Sequence, residues 1–400
     1  MGDIGPSAME HVKSSGESPG RLPFFRGRTS RRRIPHWLAR CLRGFLGLPG
    51  LFVDQWQPSL LPPDGTVLDR KELLEWIRRS DQTAGMLALE SGMHRFVCAD
   101  GLVGYGVWRR TAFIAGGIHL APGGNGEALL KAFWSALKER GFRRLLCVPV
   151  RDRERAVFEA AGGETLLIGA EAIVDLADFT LEGSRRENLR QMCRRATRNG
   201  VEIQEIPAAE SMAELGELHA RWTATRPRGY RMALLVGDPG LGNEDGRRFF
   251  AARERDGSLQ SFVTVHAISS GRGAAIDALV RHESASPGAV DLLIQETLQI
   301  LKREGVEWLS LGACPLIETT APGDSDSRAL RFFLRRLGSS AIGDSLFSFQ
   351  GLHQFKSKFH PRWEPIHMGG LPNAGFWAMY AGGRMWGLTG RPRLERSAGD

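Results

Sequence analysis

The stretch HLAPGGNGEALLKAFWSALKERGFRRLLCVP, residues 119–149, reads as a glycine-rich loop at His119–Gly126, a helix over Glu127–Arg140 and a strand over Arg143–Pro149. Glycines ahead of a helix N-terminus let amide N–H groups approach a phosphate, and they equally make a plain turn. Upstream, His94–Ala99, Gly104–Arg109 and Thr111–Gly116 read as an antiparallel meander with Gly and Asp at the turns, after a short helix at Leu68–Arg79. Downstream come a helix over Arg153–Ala161 and a strand within Glu164–Asp178.

Strands, loop, helix, strand, helix and strand is the order of an acetyltransferase-like (GNAT) fold. The second half repeats it. A basic helix at Gly183–Asn199, a strand at Val201–Ile206 and a helix at Met212–Thr225 precede strands at Ser261–Ile268 and Gly273–Arg281. A helix at Ala289–Glu304, a strand at Trp308–Gly312 and a helix at Ala329–Leu337 follow, without a residue-level repeat between the halves. The expected class is α/β (α+β), with tandem acetyltransferase-like halves, each a central mixed sheet flanked by helices. The expected organisation is a disordered basic tail over 1–33, an amphipathic helix over 34–55, halves over 60–180 and 181–370, and a C-terminal tail over 371–400.

A chain of 400 residues is too long for one small core, and 42% hydrophobic with 24% charged residues is ordinary for a globular protein. The net charge of +8 and a pI near 9.6 favour a polyanionic partner, nucleic acid or an anionic membrane surface. Five cysteines, none in a CxxC pair, argue against a disulfide framework or structural zinc, and no HExxH spacing occurs; no metal is expected. No run of 18 apolar residues and no secretory pattern is present. Arg26, Arg28 and Arg31–Arg33 precede Ile34–Phe52, where Trp37, Leu38, Leu42, Phe45 and Leu46 take helical spacing. That segment fits an interfacial membrane helix or a helix docked on the protein's own core.

Candidate chemistry gathers late in the chain. LFSFQGLHQFKSKFHPRWEP, residues 346–365, interleaves Phe347, Phe349, Phe355, Phe359 and Trp363 with Lys356, Lys358 and Arg362. The pattern suits a pocket wall with ammonium groups aimed at an anion or a polarised carbonyl, or an amphipathic helix with its lysines in water. Arg186, Arg190, Arg194 and Arg198 recur every four residues, a self-repelling stripe that makes sense against phosphates or as a solvated face. Asp277 and Arg281 are four apart in IDALVRH, and Asp291 opens a helix after Pro287-Gly288. They read as a strand-end pair and a helix cap, or as two carboxylates holding a substrate amino group. Cys314 reads as a small core residue, and no Ser-His-Asp or Cys-His order supports a nucleophile.

Three blocks resemble a known family: LIGAEAIVDLADFTLEGSRRENLRQ (Leu167–Gln191), LSLGACPL (Leu309–Leu316) and FSFQGLHQFKSKFHPRWEP (Phe347–Pro365). They are similar to the C-terminal catalytic domain of phosphatidylglycerol lysyltransferases, over roughly Leu60–Gly370. The resemblance implies transfer of an amino acid, lysine or a similar one, from aminoacyl-tRNA to the hydroxyl of a membrane lipid such as phosphatidylglycerol. It implies a tunnel between tRNA-facing and lipid-facing mouths, no covalent enzyme intermediate, no cofactor, and a peripheral place at the cytoplasmic membrane face. It assigns Lys356 and Lys358 to phosphate or oxyanion stabilisation, and Asp277 and Asp291 to an amino group. Arg186, Arg190, Arg194, Arg281, Phe355 and Trp363 become substrate-binding candidates. This chain is expected to depart from the family in having no upstream multi-helix flippase domain, and it carries Ile366-His367 where the family tends to carry Arg-Tyr. An acyl-CoA N-acyltransferase working through Pro122–Gly126, and a non-catalytic basic membrane or RNA adaptor, are the alternatives.

Overall fold

Strand β5, Glu164–Asp175, is buried along nearly its whole length, as a run apolar on both faces demands of a strand inside a covered sheet. The computed structural model describes residues 68–90, 93–225, 239, 246–315 and 349–385. The described residues lie in one unit, Pro49–Asp400. The N-terminal arginine cluster and amphipathic helix, the expected helix at Ala329–Leu337 and Phe347 fall outside them.

In the first half, α1 (Arg70–Arg79) starts at a capping box in which the Asp69 carboxylate accepts from the Glu72 amide and the Glu72 carboxylate from the Asp69 amide. Strands β1 (His94–Cys98), β2 (Gly101–Trp108) and β3 (Thr111–Leu120) form the expected meander. Helix α2 (Gly126–Glu139) is capped by Asn125 and buries Leu129, Leu130, Phe133 and Leu137 at a spacing of one, three and four. Strand β4 (Arg144–Arg151), α3 (Arg155–Ala160) and β5 complete the half.

The second half runs α4 (Glu187–Arg198), β6 (Glu202–Ile206), α5 (Ala208–Ala224), β7 (Arg247–Arg253), β8 (Leu259–Ile268), β9 (Gly273–Arg281), α6 (Ala289–Arg303), β10 (Trp308–Pro315), α7 (Phe349–Ser357), β11 (Arg362–Leu371) and α8 (Phe376–Met385).

The two halves share one eleven-stranded sheet, ordered β1-β2-β3-β4-β11-β5-β10-β9-β8-β7-β6. Each half contributes an antiparallel pair and then a parallel neighbour reached through a helix: β2-β3-α2-β4 and β8-β9-α6-β10. The last strands are exchanged, so β11 lies beside β4 and β5 beside β10. β4, β11, β5 and β10 alternate in direction. β9 and β10 therefore run toward the end of the sheet at which β3 and β4 start, and the register sets Pro315, the end of β10, level with Gly169, Ile366 and Arg151.

Three elements differ from the sequence expectation. RRFFAAR forms β7, and RWEPIHMGGL forms β11 although Pro365 and two glycines lower its strand propensity. Strand β11 is held by ladders on both sides. Residues 376–385, expected in a tail, form α8, which buries Ala378, Ala381 and Met385 against the first-half sheet.

Candidate active site

The parallel strands β9 and β10 pair only from Gly273 to Ala275 and from Trp308 to Ser310, then part toward their C-terminal ends. On its other edge β10 slips register against β5 between Ser310 and Ala313, with Gly312 at a φ of 84°. This bulge turns carbonyl oxygens out of the ladder. The Gly312 and Ala313 carbonyls accept hydrogen bonds from Lys356 Nζ at 2.9 and 3.0 Å. The Ser310 hydroxyl accepts from the Gly312 amide at 2.9 Å and donates to Glu171 at 2.6 Å. Arg151 completes the chain at 3.2 Å from Glu171. A buried line of polar groups thus crosses the sheet from β4 to α7. Burial lowers the Lys356 pKa, opposed by the neighbouring Cys314 thiol and Glu171.

Phe355, Phe359 and Trp363 pack against the core formed by Ala172, Leu309 and Leu311. The rings face inward, as both sequence readings required, and the two lysines have protein partners. Lys358 Nζ donates to Asp291 at 2.7 Å and lies 5.4 Å from the Phe355 ring centroid. Asp291 sits in the first turn of α6 with its side chain almost wholly buried; it makes this ion pair and no capping bond. Gly288, at the N-cap with a φ of 89°, lets α6 cross α4 closely, because a Cβ there would run into the Met192 carbonyl oxygen. Gly288→Ala should destabilise the chain by at least ~1 kcal/mol. Gly141→Ala, at a similar φ of 78° with open space around it, should cost less in a urea titration.

Asp277 belongs to a different cluster. It is the extra residue where β9 slips against β8, and its carboxylate lies 3.0 Å from Arg247 Nε and 3.1 Å from His266 Nδ1. Burial would raise its pKa, but His266 and Arg247 outweigh burial and hold it low. The expected pairing with Arg281 is corrected: Arg281 is exposed, and Asp277 pairs with strands β7 and β8. Asp277 and Asp291 each have their own cationic partners, Arg247 with His266 and Lys358 respectively.

The arginine stripe divides. Helix α4 begins at Glu187, with Arg186 as its N-cap residue. The Arg186 guanidinium reaches the Thr180 carbonyl and stacks on Phe179, and Arg190 donates to the Leu181 and Gly183 carbonyls and pairs with Glu187. Both close the 180–183 turn, while Arg194 and Arg198 are exposed. In the loop at Pro122–Gly126 the Asn125 amide bonds Asp100 and the Gly124 amide bonds Ala121, which is the turn reading. Cys314 is buried, and burial raises its thiol. No group of His, Cys, Asp and Glu suited to a metal occurs among the described residues.

Glu171, Ser310, Arg247 and His266 escaped the sequence reading. One signal was available for the first: Glu171 is a lone carboxylate inside the apolar run LLIGAEAIV, residues 166–174.

A family model described as phosphatidylglycerol lysyltransferase, C-terminal, matches residues 75–368. The chain is 26% identical over 224 residues to a lysylphosphatidylglycerol biosynthesis bifunctional protein of Gordonia bronchialis, covering 53% of this chain and 19% of that one. It is 23% identical over 252 residues to a phosphatidylglycerol lysyltransferase of Bacillus subtilis, covering 60% and 28%. The chain thus spans less than a third of these curated relatives. Among solved structures, L-PGS from Bacillus licheniformis superposes with a TM-score of 0.66 at 17% identity, covering 82% of this chain and 95% of that one. The C-terminal domain of a putative lysylphosphatidylglycerol synthetase from Agrobacterium fabrum gives 0.61 at 22% identity, covering 78% and 95%.

Proposed function

The chain belongs to the phosphatidylglycerol lysyltransferase C-terminal family, and from that membership we propose that it transfers an aminoacyl group from aminoacyl-tRNA to a hydroxyl of a membrane lipid. Phosphatidylglycerol, named in its relatives, is the proposed acceptor. The observation that carries the reading is the buried Lys356 ammonium, fixed by two carbonyls at the break in β10, inside the matched region.

In the proposed reaction the lipid hydroxyl oxygen attacks the ester carbonyl of the aminoacyl group. A new ester C–O bond forms, the bond to the tRNA ribose oxygen breaks, and the hydroxyl proton ends on that ribose oxygen. The substrate ester is already activated, so positioning and charge stabilisation supply the catalysis. Lys356 uses two N–H groups on Gly312 and Ala313, which aims the ammonium. In this reading it stabilises the tetrahedral oxyanion. Asp291 receives the substrate amino group, and Lys358, displaced from Asp291, meets phosphate. Neither metal nor cofactor takes part in the proposed step. The site would work at the cytoplasmic membrane face, where charged tRNA is available. No helix among the described residues is long and apolar enough to cross a membrane.

Radiolabelled amino acids supplied as a charged-tRNA pool should enter chloroform-extractable lipid, and ribonuclease should abolish the label. No label in any lipid overturns the reading. Lys358→Ala should lower kcat/KM roughly 10–100-fold, because it removes the cation that meets phosphate in the proposed complex.

A further inference from the structure

The strongest feature outside the site is a corner where the β2–β3 turn, the α2–β4 junction and α8 meet. Trp377 on α8 is 63% exposed, one of the two large apolar side chains so placed among the described residues. It stacks edge-on against Tyr380, whose ring lies 6.1 Å from Trp108, and the Arg109 guanidinium sits 4.9 Å from the Trp108 ring. Beside this aromatic row the Arg110 carbonyl accepts the amides of Arg143 and Arg144 at 2.8 and 3.2 Å, which ties the two turns together. Arg109, Arg110 and Arg143 are exposed. Over residues 138–144, Lys138, Arg140, Arg143 and Arg144 face a single acid, Glu139.

We infer that this corner is a docking surface for an anionic lipid membrane. An exposed tryptophan, with an apolar body and a polar tip, settles at the headgroup level, and a dense cationic patch beside it matches anionic headgroups. The topology gives the placement a purpose. The corner lies at the N-terminal ends of β3 and β4, and α8 packs beside β4. The opening between β9 and β10, with Lys356 held at the Gly312 and Ala313 carbonyls beside it, is directed toward that end of the sheet, because β4 and β10 run in opposite directions. A membrane against the corner lies on the side toward which that opening is directed. The purpose rests on the proposed lipid acceptor; the docking does not.

The full chain is sedimented with vesicles of phosphatidylcholine containing phosphatidylglycerol, and with vesicles of phosphatidylcholine alone. Arg110→Glu with Arg143→Glu, and separately Trp377→Ser, should each weaken binding to the anionic vesicles, the charge pair by at least roughly tenfold, with unfolding midpoints unchanged. Wild-type binding by both variants overturns the proposal. So does retained vesicle binding with lost tRNA binding, which makes the corner an RNA surface. If binding falls but the wild-type chain transfers no amino acid to any lipid, docking stands and the proposed reaction fails. If both hold, transfer to vesicle phosphatidylglycerol should fall in the variants, while transfer to detergent-dispersed lipid stays at the wild-type rate.

Discussion

Lys356→Met abolishes lipid aminoacylation by about 10²–10³-fold in kcat, with little change in the KM for charged tRNA; this is the largest catalytic effect expected. The magnitude is that of removing one preorganised oxyanion donor. Methionine fills much the same volume, so the apolar packing of α7 on the core is kept. The Gly312 and Ala313 carbonyls lose their donor, which costs about 1–3 kcal/mol of stability and is read separately by urea titration. Lys356→Arg should not rescue, because a planar fork cannot sit where a compact ammonium meets two carbonyls of one bulge. Burial lowers the Lys356 pKa below 10.5, and a role that needs the protonated form has a definite sign. The rate falls as pH rises through the lowered value, earlier on the alkaline side than for an ordinary lysine. Initial rates corrected for spontaneous ester hydrolysis test this. A pH-independent rate, or full activity in Lys356→Met, removes the ammonium from the chemistry.

Local chemistry was legible where one element determines it. Strand β9 was read at its observed bounds, and α6 and β10 within a few residues, because their apolar periods and flanking glycines are local signals. Lys356 and Lys358 were legible because cations among rings are unusual in a surface helix. Partners were not legible. Asp277 was paired with Arg281 by spacing, yet the extra residue in β9 re-aims it toward β7 and β8. The arginines at 186 and 190 look identical in sequence to those at 194 and 198, and only the chain reversal at 180–183 separates them. The exchange of β5 and β11 is a long-range pairing with no period of its own, so a single shared sheet could not be foreseen from two repeated halves.

The second large effect is on stability, and it separates Asp277 from the reacting groups. Asp277→Asn should destabilise the fold by about 3–5 kcal/mol, because it breaks a nearly fully buried ion pair with Arg247. The same physics predicts a rescue. Asp277→Leu combined with Arg247→Met removes both charges and should recover part of the loss, since a buried pair owes much of its apparent worth to the penalty of breaking it. The pH dependence is fixed by sign. Asp277 is held below its ordinary value of 3.8 in the folded chain. Its contribution is therefore fully present above the ordinary carboxylate range and is lost as pH falls through the lowered value. The stability gap between wild type and Asp277→Asn should be constant near neutrality and close only under strong acid. Per folded molecule, Asp277→Asn should transfer amino acid at close to the wild-type rate while Lys356→Met does not. An Asp277→Asn chain that keeps its wild-type urea midpoint yet loses transfer would return the carboxylate to the substrate, which the pairing with Arg247 and His266 argues against.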